Sequence, residues 1–282
     1  MKALLIYSKN SGKSNFFRYF SYVHKELGPL YEKLDILCPE TQRDAYEIET
    51  NAYKEYDVLL IAGGDGTFNN AINAVMQNEK RPITGYINSG TLGDVGKCFG
   101  MKRSVKSSIQ VIKKQIVKPC DLGKITVQNE SKYFCYMAAT GSFSDISYKT
   151  KKHKKSLGKF SYYWEAVKEL FKKTQIEYKI FDNFSKTNFL MVLNGPYVGG
   201  FKVYKTARMD DGKLKFFASK GKAFKGLCSY VTEKNVETFE SDYFGIELKG
   251  DDLTWCIDGE AFLAGNAVIT CEKHAIQTYF DR

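Results

Sequence analysis

The stretch Val58-Leu59-Leu60-Ile61-Ala62-Gly63-Gly64-Asp65-Gly66-Thr67-Phe68-Asn69-Asn70 runs from an unbroken apolar segment into a glycine-rich turn and out into a helical pattern. An apolar run of this length suits a strand buried on both faces, which is the environment of a parallel sheet. Phe68, Ile72, Val75 and Met76 share one helical face, so a helix is expected over Phe68–Met76. Strand, tight turn and helix in that order are one half of a βαβ unit. The first backbone N–H groups of a helix are unpaired, and the helix dipole adds positive potential there. Glycines let the main chain approach an anionic group closely, and open α/β sheets bind ligands at the carboxyl ends of their strands. A polyphosphate therefore fits this turn. A plain βα turn with Asp65 as a helix cap is the competing account of the same letters.

The surrounding sequence repeats the alternation. Strands are expected at Ala3–Tyr7, Leu34–Cys38, Val58–Ala62 and Ile83–Ile87. Helices are expected from Ser14 to about Leu27, near Gln42–Asn51, and over Ser104–Lys114. This is the pattern of an α/β fold with a doubly wound, mainly parallel sheet. After Cys120 the texture changes. Strand-like runs at Lys124–Gln128, Lys132–Ala139, Ile176–Phe181, Asn188–Leu193 and Lys213–Ser219 are joined by Gly or Asn turns, with one helix expected over Lys159–Lys173. Such a run implies a second, mainly antiparallel β-rich domain, a sandwich or flattened barrel. The expected boundary is near Pro119, giving domains 1–119 and 120–274, with 275–282 returning to the first. With 282 residues the chain can hold two domains and bury a large core in each.

Other features narrow the class. Seven cysteines, an odd number with no C-x-x-C pair, argue for reduced thiols in a cytosolic protein over a disulfide framework or a zinc site. No stretch of eighteen apolar residues occurs, and the apolar run at Ala3–Tyr7 is too short for a signal-peptide core. A cytoplasmic protein, or one peripheral at the inner membrane surface, is expected. The net charge of +10 suits an anionic partner without choosing one. The run Lys149-Thr150-Lys151-Lys152-His153-Lys154-Lys155 is either a solvated loop or an electrostatic contact for anionic lipid. No recognised nucleic-acid module accompanies it. His24, His153 and His274 lack metal spacing, and no G-x-S-x-G occurs.

The turn is neither a Walker A loop, since no Lys follows its glycines, nor G-x-G-x-x-G, since Asn69 stands where the third Gly belongs. It carries an acid instead. A carboxylate beside phosphates repels them unless a cation or a substrate hydroxyl lies between. Asp65 is thus a candidate for organising a metal–nucleotide complex or for accepting a proton.

Gly63–Thr67 with Phe68-Asn69-Asn70 closely resembles the G-G-D-G-T-x-N-E signature of the diacylglycerol kinase catalytic-domain superfamily, which includes bacterial lipid kinases and sphingosine kinases. Further segments follow in family order. Ser8-Lys9-Asn10-Ser11-Gly12-Lys13 resembles N-P-x-S-G-K, with Ser8-Lys9 for Asn-Pro. Asn88-Ser89-Gly90-Thr91-Leu92-Gly93-Asp94 resembles P-x-G-T-x-N-D, with Asn88 for Pro and Gly93 for Asn. Lys118–Gly123 resembles the link between the family's domains, and Leu157–Tyr163 its L-G-K-x-x-Y helix start. Asp211-Gly212-Lys213-Leu214 resembles D-G-x-L, and Asp258-Gly259-Glu260 resembles D-G-E.

The resemblance implies an ATP-dependent lipid kinase that transfers the γ-phosphate to a lipid hydroxyl, such as that of diacylglycerol, at a membrane surface. It implies that Ser8, Lys9, Asn10, Ser11, Gly12, Gly63, Gly64, Asp65, Gly66, Thr67, Asn69, Gly90, Thr91 and Asp94 line the nucleotide. It implies catalytic roles for Asp65, Asp258 and Glu260, with one of the last two as the base, near an interdomain cleft. ATP and Mg²⁺ are the implied cofactors. A structural Mg²⁺ would take the Asp211 carboxylate and the carbonyls of Arg208 and Lys213, an oxygen-only set. A homodimer is the family's hint. Two other readings stay open. The segment Gly85–Gly93 also resembles the NAD kinase pattern, which would mean a soluble acceptor, and the departures at Ser8-Lys9 and Gly93 would suit a non-catalytic nucleotide sensor.

Overall fold

The computed structural model of the chain describes residues 1–8, 16–90, 92–141, 176–204, 207–219, 236–250 and 253–282. The expected helix over Lys159–Lys173, the lysine run Lys149–Lys155 and the motif Leu157–Tyr163 lie outside the described residues. The chain divides into two compact units, Met1–Leu122 with Lys273–Arg282, and Gly123–Glu272.

The first unit alternates β1 (Lys2–Tyr7), α1 (Phe20–Leu27), β2 (Lys33–Leu37), α2 (Gln42–Asn51), β3 (Val58–Gly63), α3 (Asp65–Val75), β4 (Ile83–Asn88), α4 (Asp94–Cys98) and α5 (Val105–Lys113). The strands lie in the order β2-β1-β3-β4, all parallel. Every residue of β3 is buried, as its unbroken apolar run requires of a strand covered on both faces. Local chemistry sets the helix ends. Thr41 and Asp44 form a reciprocal capping box at the start of α2, with both bonds at 3.1 Å. The Ser104 hydroxyl accepts the Ser107 N–H at 3.1 Å and starts α5. Phe68, Ile72 and Val75 of α3 are fully buried, each contributing about 1.5–3 kcal/mol of transfer free energy.

Two expectations shift here. The helix expected from Phe68 begins three residues earlier, at Asp65. The apolar repeat starts late because the first turn of α3 packs few side chains inward. The helix expected from Ser14 begins, among the described residues, as a short 3₁₀ turn over Phe16–Tyr19, followed by α1.

The second unit is built from β5 (Val117–Val127), whose first residues belong to the first unit, β6 (Glu130–Phe134), β7 (Met137–Gly141), β8 (Ile176–Lys179), β9 (Ser185–Thr187), β10 (Phe189–Leu193), β11 (Tyr197–Val198), β12 (Phe201–Lys202), β13 (Leu214–Ser219), β14 (Val236–Ser241), β15 (Tyr243–Lys249), β16 (Thr254–Ile257), β17 (Glu260–Ala264) and β18 (Ala267–Tyr279). A six-stranded antiparallel sheet runs β14-β13-β10-β7-β16-β17. β15 pairs antiparallel with β8 and with the start of β18, and β5 with β6. Trp255, Phe216, Phe244, Leu190, Val192 and Ile257 centre its core. The end of β18 returns to the first unit and pairs parallel with β4 through Thr278 and Thr84. The mixed architecture, a parallel-rich sheet and a separate antiparallel one, is the fold class expected from the sequence. The single strand expected over Lys132–Ala139 is two, β6 and β7, interrupted at Cys135-Tyr136.

Candidate active site

β3 and β4 are neighbours in register, with Ala62 beside Ile87 and Gly63 beside Asn88, so their loops leave the same edge of the sheet. Gly64 is the N-cap of α3 in extended conformation, and its carbonyl accepts the Phe68 N–H at 3.0 Å. Asp65, Gly66 and Thr67 thereby present the first backbone N–H groups of α3. The loop after β4 lies against this turn. Ser89 donates its N–H to the Gly63 carbonyl at 2.9 Å, and a Cβ on Gly90 would stand 2.6 Å from the Gly64 Cα. A side chain at 90 would push the two loops apart. A Cβ on Gly63 would meet the Thr67 Cβ at 2.5 Å, so Thr67 folds back over Gly63.

Asp65 ties the cradle together. Its Oδ2 accepts the Asp94 N–H at 3.1 Å, and its Oδ1 accepts the Val95 N–H at 3.3 Å and the Tyr86 hydroxyl at 3.1 Å. Burial pushes its carboxyl above the usual carboxylate range, the Asp94 charge adds to that, and these hydrogen bonds oppose it. Asp94 is fully buried and meets the Lys97 ammonium at 3.1 Å. Asn69 is buried inside the unit, where the Asn73 amide donates to its Oδ1 at 3.2 Å. Ser8 follows the last residue of β1 and is partly buried. Lys9, Asn10, Ser11, Gly12 and Thr91 lie outside the described residues.

In the second unit Asp258 and Gly259 form the turn between β16 and β17, with φ of +46° and +87°. Two successive left-handed residues make the Asp-Gly hairpin turn that matches strand twist. The Asp258 side chain points inward. It is 3% exposed and accepts the backbone N–H groups of Cys135 at 2.6 Å, of Tyr136 at 3.1 Å and of Met137 at 3.0 Å. The break between β6 and β7 is the place where these amides turn onto the carboxylate. Glu260, two residues on, begins β17 with its side chain 41% exposed, and Lys132 Nζ lies 3.4 Å from its Oε2. Of the pair, Glu260 is the one open to a reactant from outside.

At the D-G-x-L turn, Asp211 Oδ1 accepts the Lys213 N–H at 3.1 Å, and Arg208 grips Asp210 with two bonds of 2.9 and 3.1 Å. Asp210 is therefore held by Arg208. Among the described residues no cluster of three or more His, Cys, Asp or Glu side chains could hold a metal ion. The set expected at this turn, one carboxylate and backbone carbonyls, is of a different kind, and its hard oxygen donors fit Mg²⁺ in chemistry.

Sequence reasoning missed Tyr86 and Lys132. Tyr86 sits in an apolar strand and passes for core, although its place near the carboxyl end of a parallel strand is a usable signal. Lys132 gave no signal.

The chain is a two-unit α/β protein with a glycine cradle on its parallel sheet, and several known proteins share its sequence or fold. Residues 2–125 match the model of the diacylglycerol kinase catalytic domain. A diacylglycerol kinase of Staphylococcus carnosus (strain TM300) is 30% identical over 218 residues, covering 75% of this chain and 70% of that protein. One of Staphylococcus saprophyticus subsp. saprophyticus is 32% identical over 218 residues, with 75% and 70% covered. The crystal structure of a candidate diacylglycerol kinase from Bacillus anthracis str. Sterne superposes with a TM-score of 0.82 at 23% identity, over 99% of this chain and 97% of that one. The last likeness speaks for the fold. The chain belongs to the diacylglycerol kinase catalytic-domain superfamily.

Proposed function

We propose that this protein is an ATP-dependent lipid kinase that transfers the γ-phosphoryl group of ATP to a lipid hydroxyl such as that of diacylglycerol. The observation that carries the reading is the contact of Gly64 with Gly90 beside the first turn of α3, a cradle without side chains under unpaired backbone donors. Family membership supports it. In this reading Gly63 to Thr67 and Gly90 receive the phosphates, with Ser8 to Gly12, Asn69, Thr91 and Asp94 contributing to the same nucleotide site. Asp65 holds the start of α4 and, through it, the loop geometry.

Glu260 is the proposed base. Its carboxylate takes the proton from the lipid hydroxyl as that oxygen bonds to the γ-phosphorus, the bond from phosphorus to the bridging oxygen breaks, and ADP leaves. Lys132 keeps the Glu260 side chain in place, and Asp258 fixes the turn that presents it. Mg²⁺ entering with ATP neutralises phosphate charge. Asp211, with the carbonyls of Arg208 and Lys213, is the proposed place for a structural Mg²⁺. Lipid phosphorylation places the protein at the cytoplasmic face of a membrane as a peripheral enzyme. No helix among the described residues is long and apolar enough to cross a membrane.

The test is transfer of label from γ-labelled ATP into diacylglycerol in mixed micelles with Mg²⁺, with NAD in a parallel tube. A labelled chloroform-soluble product is expected. Label in NAD, or in neither acceptor, would overturn the reading.

A further inference from the structure

Asn88 is the last residue of β4 and is 3% exposed. Its Oδ1 accepts the Gly90 N–H at 3.0 Å and lies 3.3 Å from the Tyr86 hydroxyl, which also reaches Asp65. The Gly90 donor fixes which end of the amide is oxygen. The opposite end is the unusual one. Nδ2 is buried and has no hydrogen-bond partner among the described residues. A buried donor left unmade is costly, so a chain that keeps one needs another reason to hold the group there.

Gly93 supplies the reason. A Cβ on Gly93 would stand 1.8 Å from Asn88 Nδ2 and 2.8 Å from its Cγ. The Asn88 amide occupies the place of a side chain at 93. The φ of Gly93 is +64°, a left-handed conformation in which Asn is among the best tolerated residues after Gly. The backbone at 93 suits Asn, and the three described atoms nearest to a Cβ there all belong to Asn88. The superfamily pattern has Pro at position 88 and Asn at position 93, so the two departures seen in this chain meet at one point in space. Pro at 88 would also lose the Asn88 N–H bond to Ser108 Oγ at 3.0 Å.

We propose that Asn88 is the positioning residue of the phosphate turn, and that Asn88 and Gly93 are one compensated exchange that delivers the carboxamide from the strand end in place of the loop. Asn88 acts through Gly90, which it holds against Gly64, and through Tyr86. Its link to ATP rests on the kinase reading. The exchange rests instead on the close approach of Asn88 to Gly93 and on the motif this segment resembles.

The experiment compares the full chain with Asn88→Ala, Gly93→Asn and the double variant by thermal unfolding and by calorimetric titration with ATP and Mg²⁺. Asn88→Ala is expected to weaken ATP binding by ~10-fold in the folded protein, a loss that a purely structural residue would not produce. Gly93→Asn alone should lower the midpoint most, or abolish soluble protein. The double variant should unfold well above Gly93→Asn and bind ATP more tightly than Asn88→Ala. Unchanged ATP affinity in Asn88→Ala would overturn the positioning role, and a double variant no more stable than Gly93→Asn would overturn the exchange. If the parent chain itself binds no ATP, the kinase reading and the positioning role both fail, while the midpoints of the four proteins still decide the exchange.

Discussion

Asp65 in the first unit and Asp258 in the second have the same next residue, glycine, and both accept backbone N–H groups from a distant segment. They are otherwise opposites. Asp65 opens a helix, and burial and Asp94 push its carboxyl upward against its hydrogen bonds. Asp258 sits in a hairpin turn with positive φ, and three amides converge on it. The first carboxylate joins two loops of the proposed nucleotide cradle. The second clamps a strand break and leaves Glu260 as the more exposed carboxylate of its turn, the proposed base. A shared Asp-Gly pair therefore says little about role. What each carboxylate grips, and how much of it water still reaches, says more.

Replacing the clamp should give the largest loss of stability. Asp258→Asn leaves one acceptor oxygen for three amides, and a loss of ~3–4 kcal/mol in chemical denaturation is expected. A midpoint equal to the parent's would break the contrast. Glu260→Gln should do the reverse, lowering kcat by ~10²-fold or more, about 2.7 kcal/mol, with unfolding unchanged. Should the lipid kinase rate survive, the division of labour within the D-G-E turn is wrong.

Glu49 in α2 extends the comparison to a buried acid that no backbone donor rescues: burial raises its carboxyl to about 8. Its folded value lies above the unfolded one. The stability it leaves intact below about pH 4.5 is lost as pH rises through about 8. Glu49→Gln should remove that slope and add on the order of 4 kcal/mol at pH 8. A parallel pH–stability curve in the variant would show that Glu49 is not desolvated. Tyr86→Phe is the mildest probe. It deletes the hydroxyl that reaches both Asp65 and Asn88 and should cost ~1–2 kcal/mol in stability. A larger loss would mean that Asp65 depends on Tyr86 more than on the two amides.

The parallel sheet was legible because β3 is apolar throughout and is followed at once by Gly63 and Gly64, a local signal that needs no partner. The start of α3 was less so, since Asp65, Gly66 and Thr67 show no apolar period. The strand break at Cys135-Tyr136 was invisible. The groups that hold it, Asn194 and Asp258, lie far along the chain. Strands β14 to β17 were not anticipated either. β17 is half-buried throughout and β14 wholly intermediate or exposed, so neither shows the clean alternation that marks a strand. For the candidate site, the glycines and Asp65 stood out by spacing, whereas the different surroundings of Asp258 and Glu260, one buried on three amides and one partly exposed, show only in three dimensions.

The clamp also sets a timetable. Cys135, Tyr136 and Met137 precede their acceptor by 123, 122 and 121 residues. On a ribosome adding roughly 5–20 residues each second, these three amides wait several seconds before Asp258 exists. Until then only part of the grip on the strand break is available: the Asn194 N–H reaches the Tyr136 carbonyl and its side-chain amide the Cys135 carbonyl, both at 2.9 Å, while the amides on the other side of the break await Asp258. The second unit thus completes its strand break with a turn made more than a hundred residues later, and its vulnerability to misassembly is written into the distance between an aspartate and the amides it will catch.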